Sequence, residues 1–498
     1  HTVYPELPKS LETLASLYTN EPYYKDLSRI PPELWEYNAR DAVVTYECYQ
    51  ALEGELREYG VEEFYGEYVL PLIDPLMEMQ EKGVCVNVAE REVVARVLTD
   101  EVADAQAALN GEALGWQVIQ ETPGELGPEH HIGLNPHSPK QLQEFLFTRL
   151  RVPRTYMRKT GAVTTNEDAL TAIQKRYPHP AISTILGIRQ RQKLLSTYVL
   201  APLGADARLR CSYVVGGTKT GRLASRASLF GTGTNLQNVP KGVARRLVVP
   251  APGLCFVQGD LSQAEARVVA YLAQDERLID LFTRPPGADG RRFDVHQENA
   301  AHLFHGGEAT QVTTLERELA KKLVHAANYG IGPRKFQETL REGGVDITIK
   351  EAERLLNLYH SRFPAIRGWQ AVVEEQLRRS RTLVTPVGRK RTFFGRWSDD
   401  LMREAYAYVP QSTVADVLNR GLVDLWHALP GVDREARLVL TVHDSVVVEC
   451  RPSHVQPVAR AIRRCVERHI EVHRRECLIP CNLTVGGNWD ALVELGRS

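Results

Sequence analysis

Two strand-forming stretches bracket a long helical one in this 498-residue chain, and that arrangement narrows the fold more than any other feature. Leu254–Val257 is a brief apolar run leading into Gly259-Asp260. Arg437–Cys450 reads as two apolar strands joined by a polar turn, a hairpin signal. Between them, from Gln263 to about Leu429, the spacing predicts helix. A sheet assembled from segments on both sides of such an insert makes an α+β domain with an all-α excursion.

The first 200 residues are expected to be mostly helical. Glu33–Tyr59, Leu70–Lys82 (stopped by Gly83), Val88–Leu109 and Pro180–Val199 carry helical periodicity, the last with Arg189, Arg191 and Lys193. Ser138-Pro139 reads as a cap and first helical position. Gly111–Leu134 is rich in Gly, Pro and His and reads as a loop. Arg208–Val257 alternates short strands and turns, and Ser453–Arg474 reads as a final helix before a terminal strand.

Within the helical insert, Arg317, Lys321, His325 and Tyr329 recur every four residues. Each step of four advances a helix by ~40°, so the four side chains share one stripe roughly 120° wide. Leu319, Leu323, Ala326 and Ala327 fall mostly opposite. Two cations one turn apart repel by roughly a few tenths of a kcal/mol unless an anion lies between them. A polyphosphate bearing a stackable base suits that stripe; a solvated helix ended by Gly330 is the plainer alternative. Asp260 stands where a strand meets a helix, and Asp444 stands in the hairpin turn Val442-His443-Asp444-Ser445. Either is an ordinary turn former alone. On adjacent strand ends of one sheet, the two carboxylates could hold two Mg²⁺ ions through oxygen.

Composition adds exclusions. No run of 18 apolar residues exists, so no membrane span is expected. Residues 1–30 lack a signal-peptide pattern, and the eight cysteines are scattered without metal spacing, so reduced, cytosolic thiols are expected. A net charge of −1 excludes a chain basic all over but not a nucleic-acid binder, because distribution outweighs the sum. The cations are mostly arginine, which suits phosphate and equally suits a GC-rich genome.

Taken together, the motifs resemble those of the family A, DNA polymerase I-like DNA polymerases of bacteria, phages and mitochondria. Asp260-Leu-Ser-Gln-Ala-Glu-Ala-Arg267 is similar to the family's motif A, Arg317-x₃-Lys321-x₇-Tyr329-Gly330 to motif B, and Val442-His443-Asp444 to motif C. Thr220-Gly-Arg222 and Asn235-Leu-Gln237-Asn238 resemble its primer-template signature. Asp294-Val-His296, Arg403-Glu-Ala and Gln411-Ser-Thr match further segments, in the family's order, over about residues 68–498.

The resemblance implies a right-hand polymerase. Its palm would be an antiparallel sheet, with helical fingers and thumb, preceded by a fragment of a ribonuclease H-like 3′–5′ exonuclease domain. The implied limits are 1–67 for the remnant, 68–200 for the thumb, 201–285 and 406–498 for the two parts of the palm, and 286–405 for the fingers. Asp260, Asp444, Arg317 and Lys321 would be catalytic, with Asp260, Asp444 and the Leu261 carbonyl on two Mg²⁺ ions, for which Mn²⁺ can substitute. Gln263, Glu265 (a steric gate against the ribose 2′-hydroxyl), His296, Arg317, Lys321, His325 and Tyr329 would face the incoming deoxynucleoside triphosphate. Arg222, Asn235, Gln237, Asn238, Arg403, Gln411 and His443 would face primer-template DNA.

Three departures stand out. His325 occupies the place of a Phe or Tyr, Ser445 that of a Glu, and Leu261 that of a Tyr. Tyr37-Asn-Ala-Arg-Asp41 resembles only the third exonuclease motif, so no proofreading is expected of this chain. A monomer in the cytoplasm of a bacterium or phage-infected cell is expected, with any processivity factor unknown. The alternatives are a single-subunit RNA polymerase and a non-catalytic DNA-binding relative.

Overall fold

The computed structural model describes residues 1–27, 30–113, 118–119, 131–157, 160–228, 231–285, 294–308, 311–342 and 344–496. At its centre is a five-stranded antiparallel sheet. Its strands are β1 (Cys255–Leu261), β2 (Arg437–Val442), β3 (Ser445–Cys450), β4 (Cys481–Gly486) and β5 (Val493–Glu494), in spatial order β2-β3-β1-β4-β5. The hairpin expected at 437–450 is therefore β2-β3, and it pairs directly with the strand at 255–261. Phe256 and Val257 of β1, Val439 and Leu440 of β2, and Val446, Val447 and Val448 of β3 are all buried. Full burial of each such side chain stabilises the fold by about 1.5–3 kcal/mol, so the sheet is held firmly in one register. Gly259 has a specific reason to lack a side chain. A Cβ there would meet Ile462 Cγ2 at 2.5 Å and Cys481 Sγ at 2.8 Å.

The helical insert runs through α1 (Ala264–Leu272), α2 (Val295–Phe304) and α3 (Thr314–Asn328), and further helices lead to the long α4 (Asp399–Val432). α5 (Val455–Val466) covers the sheet with Val458, Ile462 and Val466. Sheet and insert share one core. The helices Val88–Glu112 and Pro180–Lys193 belong to a separate core with Leu142, Phe145, Leu170 and Ile185. The N-terminal helices Leu11–Tyr18 and Glu33–Glu58 enclose only a small one, around Ala15, Tyr24, Val44 and Cys48. No described helix is long and apolar enough to cross a membrane.

Three expectations need correction. The final helix stops at Val466, and Arg468–Val472 pairs with Arg475–Ile479 as a hairpin. Ile470, Val472, Cys477 and Ile479 are buried in strand alternation, and His473 and Arg474 form the turn with φ of 51° and 62°. Inside the insert, Thr382–Val384 pairs with Lys390–Thr392 across a turn containing Pro386 and Gly388, where helix was expected. The Gly111–Leu134 segment has helix at its start and a short pairing of Val118–Ile119 with His131–Ile132, while 114–117 and 120–130 lie outside the described residues. The expected domain limit at 405/406 falls inside the unbroken α4, and that at 285/286 borders undescribed residues.

Candidate active site

Asp260 and Asp444 are brought together by backbone pairing. Asp260 lies opposite Ser445 in β3 and opposite Asn482 in β4. The Leu261 amide donates to the Asp444 carbonyl at 2.9 Å. The two-residue turn His443-Asp444 places His443 at a φ of 53°. The Ser445 hydroxyl is engaged within the turn. That group donates to the Val442 carbonyl at 2.8 Å, and the Thr441 hydroxyl donates to the Ser445 carbonyl at 3.1 Å. The residue that departs from the family pattern therefore braces the turn.

The electrostatics fit a cation site. Desolvation, then the charge of Asp444, raises the Asp260 pKa to about 6, although its residue opens to solvent. Lys241 and Lys321 oppose that rise. Asp444 is also raised, chiefly by desolvation, with Arg222 opposing. Two partly desolvated carboxylates, Asp260 further raised by the charge of Asp444 and Asp444 by that of Glu265, make a hard-oxygen pair suited to Mg²⁺. Among the described residues no cluster of three or more His, Cys, Asp or Glu forms a fuller cage, so any ion here would share its ligation with water or substrate.

A chain of polar contacts ties the acids to α3. Arg222 Nη2 lies 3.3 Å from Asp444 Oδ1 and is hydrogen-bonded to Glu265, which in turn accepts from the Tyr329 hydroxyl. Burial and then Glu265 raise the Tyr329 phenol well above its usual range, so it stays a donor at neutral pH. The stripe itself forms as the spacing implies. A capping box starts α3, with Thr313 accepting from the Glu316 amide and Glu316 from the Thr313 amide. The His305 bond, then the Thr313 amide, holds Glu316 down at about 2. Ala320, Leu323, Val324 and Ala327 are buried, leaving Lys321 exposed and Arg317, His325 and Tyr329 half-buried. Gly330 closes the helix end at a φ of 67°. The His325 ring lies 6.5 Å from that of Tyr329, and its pKa is lowered, first by burial.

The other expected contacts divide. Gln263 is the left-handed residue opening α1, with a buried side-chain oxygen that has no partner among the described residues. His296 is 3% exposed and its pKa falls to about 4 by burial, so the ring is neutral and withdrawn from solvent. Gln237 is also buried, and its amide donates to the Thr441 carbonyl at 3.3 Å. The Asn235 side chain accepts from the Gln237 amide and from Ser225. These two serve the scaffold in this structure rather than an open surface. Asn238 is exposed, and its carbonyl accepts from Tyr198. Arg403 pairs with Asp400 on its own helix, Gln411 is half-buried and His443 is exposed. Asp41, in the N-terminal segment, is bonded by Lys25 and by Tyr24 at 2.6 Å.

Sequence reading missed several supports. Lys241 acts on Asp260 through its field alone. Asp416, fully buried on α4, pairs with Arg389 at 2.6 Å, and Asn419 bonds the carbonyl of Gly221, next to Arg222. Asp294 caps α2 and bonds Arg317, and its sequence signal was the capping position before a helix. A cavity of about 1250 Å³ lies between Thr155–Met157, the segment from Thr164 to Arg176, and Lys335, Glu338 and Arg341, and none of the acid cluster lines it.

Comparison with known proteins gives consistent results. Residues 119–491 match the family model described as DNA polymerase family A. DNA polymerase I of Chloroflexus aurantiacus is 30% identical over 99% of this chain, and the thermostable DNA polymerase I of Thermus aquaticus is 31% identical over 84%. The chain spans about half the length of these relatives, 50% and 47% respectively. The POL domain of Pol1 from M. smegmatis, solved in complex with DNA primer-template and dNTP, superposes with a TM-score of 0.78. That match covers 99% of this chain and 81% of the other at 24% identity, and so speaks to the fold.

Proposed function

This chain belongs to DNA polymerase family A, and we propose that it extends a DNA primer on a DNA template, adding deoxynucleotides and releasing pyrophosphate. The observation that carries the reading is the juxtaposition of Asp260 and Asp444 on paired strands, joined through Arg222 and Glu265 to the helix bearing Arg317 and Lys321. Asp260, Asp444 and the Leu261 carbonyl would hold two Mg²⁺ ions. Those ions, when bound, activate the primer hydroxyl and stabilise the departing pyrophosphate.

The protein's own contribution is positioning and charge. Arg317 and Lys321 meet the triphosphate with charge-assisted bonds, which gain strength where water is excluded. In-line phosphoryl transfer leaves little covalent work for side chains, so this cationic wall opposite an acidic floor is the main requirement. Glu265, fixed by Arg222 and Tyr329, crowds the place of a ribose 2′-hydroxyl and favours deoxynucleotides. His325 offers a neutral ring beside Tyr329 for stacking on the base. Arg222, Asn238, Gln411 and His443 are the primer-template contacts we retain, and Gln237 and Asn235 act behind them. Residues 68–200 form the thumb in this reading, 286 to the start of α4 the fingers, and the remainder of 201–498 the palm.

The test is primer extension with Mg²⁺, run with deoxynucleotides, ribonucleotides and a mismatched primer. Template-directed extension with deoxynucleotides supports the proposal. Primer-independent use of ribonucleotides, or DNA binding without extension, contradicts it. Release of the mismatched 3′ nucleotide would contradict the expectation of no proofreading.

A further inference from the structure

Asp294 lies outside the acid pair and outside the cationic stripe, yet it touches both phosphate-facing elements. It is the N-cap of α2, and its Oδ1 accepts from the amides of His296 at 2.9 Å and Gln297 at 3.1 Å. Its other oxygen, Oδ2, accepts from Arg317 Nε at 2.6 Å. Glu318 takes Arg317 Nη1 at 3.0 Å, and Nη2 has no partner among the described residues. An arginine held through Nε has lost most of its rotational freedom while keeping terminal N–H groups for a planar anion. Burial pushes the Asp294 carboxyl up, but the Arg317 bond and the capping amide hold it below the ordinary carboxylate range.

We propose that Asp294 is a positioning residue for nucleotide binding: one carboxylate sets the start of the helix carrying His296 and orients the Arg317 guanidinium toward the triphosphate. The proposal rests on the reading of Arg317 given above. The two arms of the carboxylate are separable by chemistry. Asparagine caps helices as well as aspartate, so Asp294→Asn retains the Oδ1 contacts to α2. It replaces Oδ2 with an amide NH₂, which presents a donor to the donor on Arg317 Nε. Asp294→Ser also caps the helix but is too short to reach Arg317, and it serves if the asparagine variant folds poorly. His296 follows as a consequence. Its ring is buried, with Nδ1 unpartnered among the described residues, and its amide is one of the two that Asp294 caps.

The experiment is steady-state primer extension at saturating primer-template, with KM for the deoxynucleotide and kcat measured separately. Asp294→Asn, Asp294→Ser, Arg317→Ala and the double variant Asp294→Asn/Arg317→Ala are compared with the parent. Each asparagine or serine single variant is expected to raise KM about tenfold while kcat falls less than about threefold. The double variant should match Arg317→Ala alone, because the carboxylate acts through that guanidinium. Melting temperature should stay with the parent for both capping variants, which a merely structural role would not predict together with a raised KM. A parental KM in Asp294→Asn, or effects that multiply in the double variant, overturns the proposal while leaving the Arg317 reading intact. A parental KM and kcat in Arg317→Ala overturns that reading first, and this inference with it.

Discussion

The floor and the wall of the candidate site are built by different means. Asp260 and Asp444 are placed by backbone pairing, one at the end of the central strand and one in the turn beside it, and their positions follow from the register of β1 and β3. Arg317 and Lys321 are placed by a single helix, and the guanidinium direction depends on side-chain partners, Asp294 and Glu318. A sheet fixes its side chains at the cost of mobility. A helix that packs by one apolar face, without strand pairing to the sheet, can shift as a unit, as elements that close over a substrate must. Acid geometry here is therefore resistant to surface change, whereas cation geometry is open to tuning by neighbours.

The largest losses are expected at the floor. Asp260→Ala and Asp444→Ala should each lower kcat for primer extension by about a thousandfold or more, since the remaining carboxylate cannot hold both ions. Primer-template affinity should change little, measured by fluorescence anisotropy at fixed salt. Retained extension in either variant contradicts the shared-ion arrangement. The wall should be softer. Lys321→Ala is expected to lower kcat/KM for the deoxynucleotide roughly 10–100-fold, with the loss visible in single-turnover titrations. A change below twofold would remove Lys321 from the nucleotide site.

Much of the floor was legible in the sequence. The hairpin at 437–450 and the apolar run before Gly259-Asp260 carry strand signals that put each acid at a strand end, because buried strands read as short, near-continuous apolar runs. The stripe of four was legible for the same reason, as periodicity maps directly onto a helix face. What stayed hidden depends on contacts between distant segments. Nothing in the spacing of Gln237 reveals that its amide turns inward to the Thr441 carbonyl. His296 reads as a phosphate contact until packing withdraws its ring. Ser445 reads as a lost carboxylate, whereas its hydroxyl locks the turn beside Asp444. The first strand of the 468–479 hairpin reads as a continuation of the helix because a strongly amphipathic segment precedes it, and the two left-handed residues His473 and Arg474 include no glycine to announce a turn.

Smaller effects sharpen the contrast further. Thr313→Ala removes the side-chain half of the capping box and should destabilise the start of α3 by about 1 kcal/mol. Hydrogen exchange at residues 314–320 should accelerate roughly fivefold, consistent with that loss, while the amides of β1 and β3 keep their parental rates. Equal acceleration in the sheet would mean that floor and wall unfold as one unit.

The smallest effect concerns pH in the metal-free protein. Asp260 is raised from 3.8 to about 6, so between those values the folded state binds more protons than the unfolded one. Stability therefore falls as pH rises through that window, the reverse of an ion-paired carboxylate. Above pH 6, with chelator present, Asp260→Asn should raise stability by about 1 kcal/mol at most, because the side chain opens to solvent and its repulsion is screened. Below pH 4 parent and variant should melt alike. A variant less stable than the parent at pH 8 contradicts the repulsive pairing.

The reading stands or falls on whether Asp260 and Asp444 share divalent ions. Titration of Mn²⁺ followed by electron paramagnetic resonance, with primer-template and a deoxynucleotide bound, tests it most directly on the parent protein, Asp260→Asn and Asp444→Asn. Shared ions give bound Mn²⁺ in the parent and weakened binding in both variants, because each ion depends on both acids. Parental Mn²⁺ binding in either variant would contradict it.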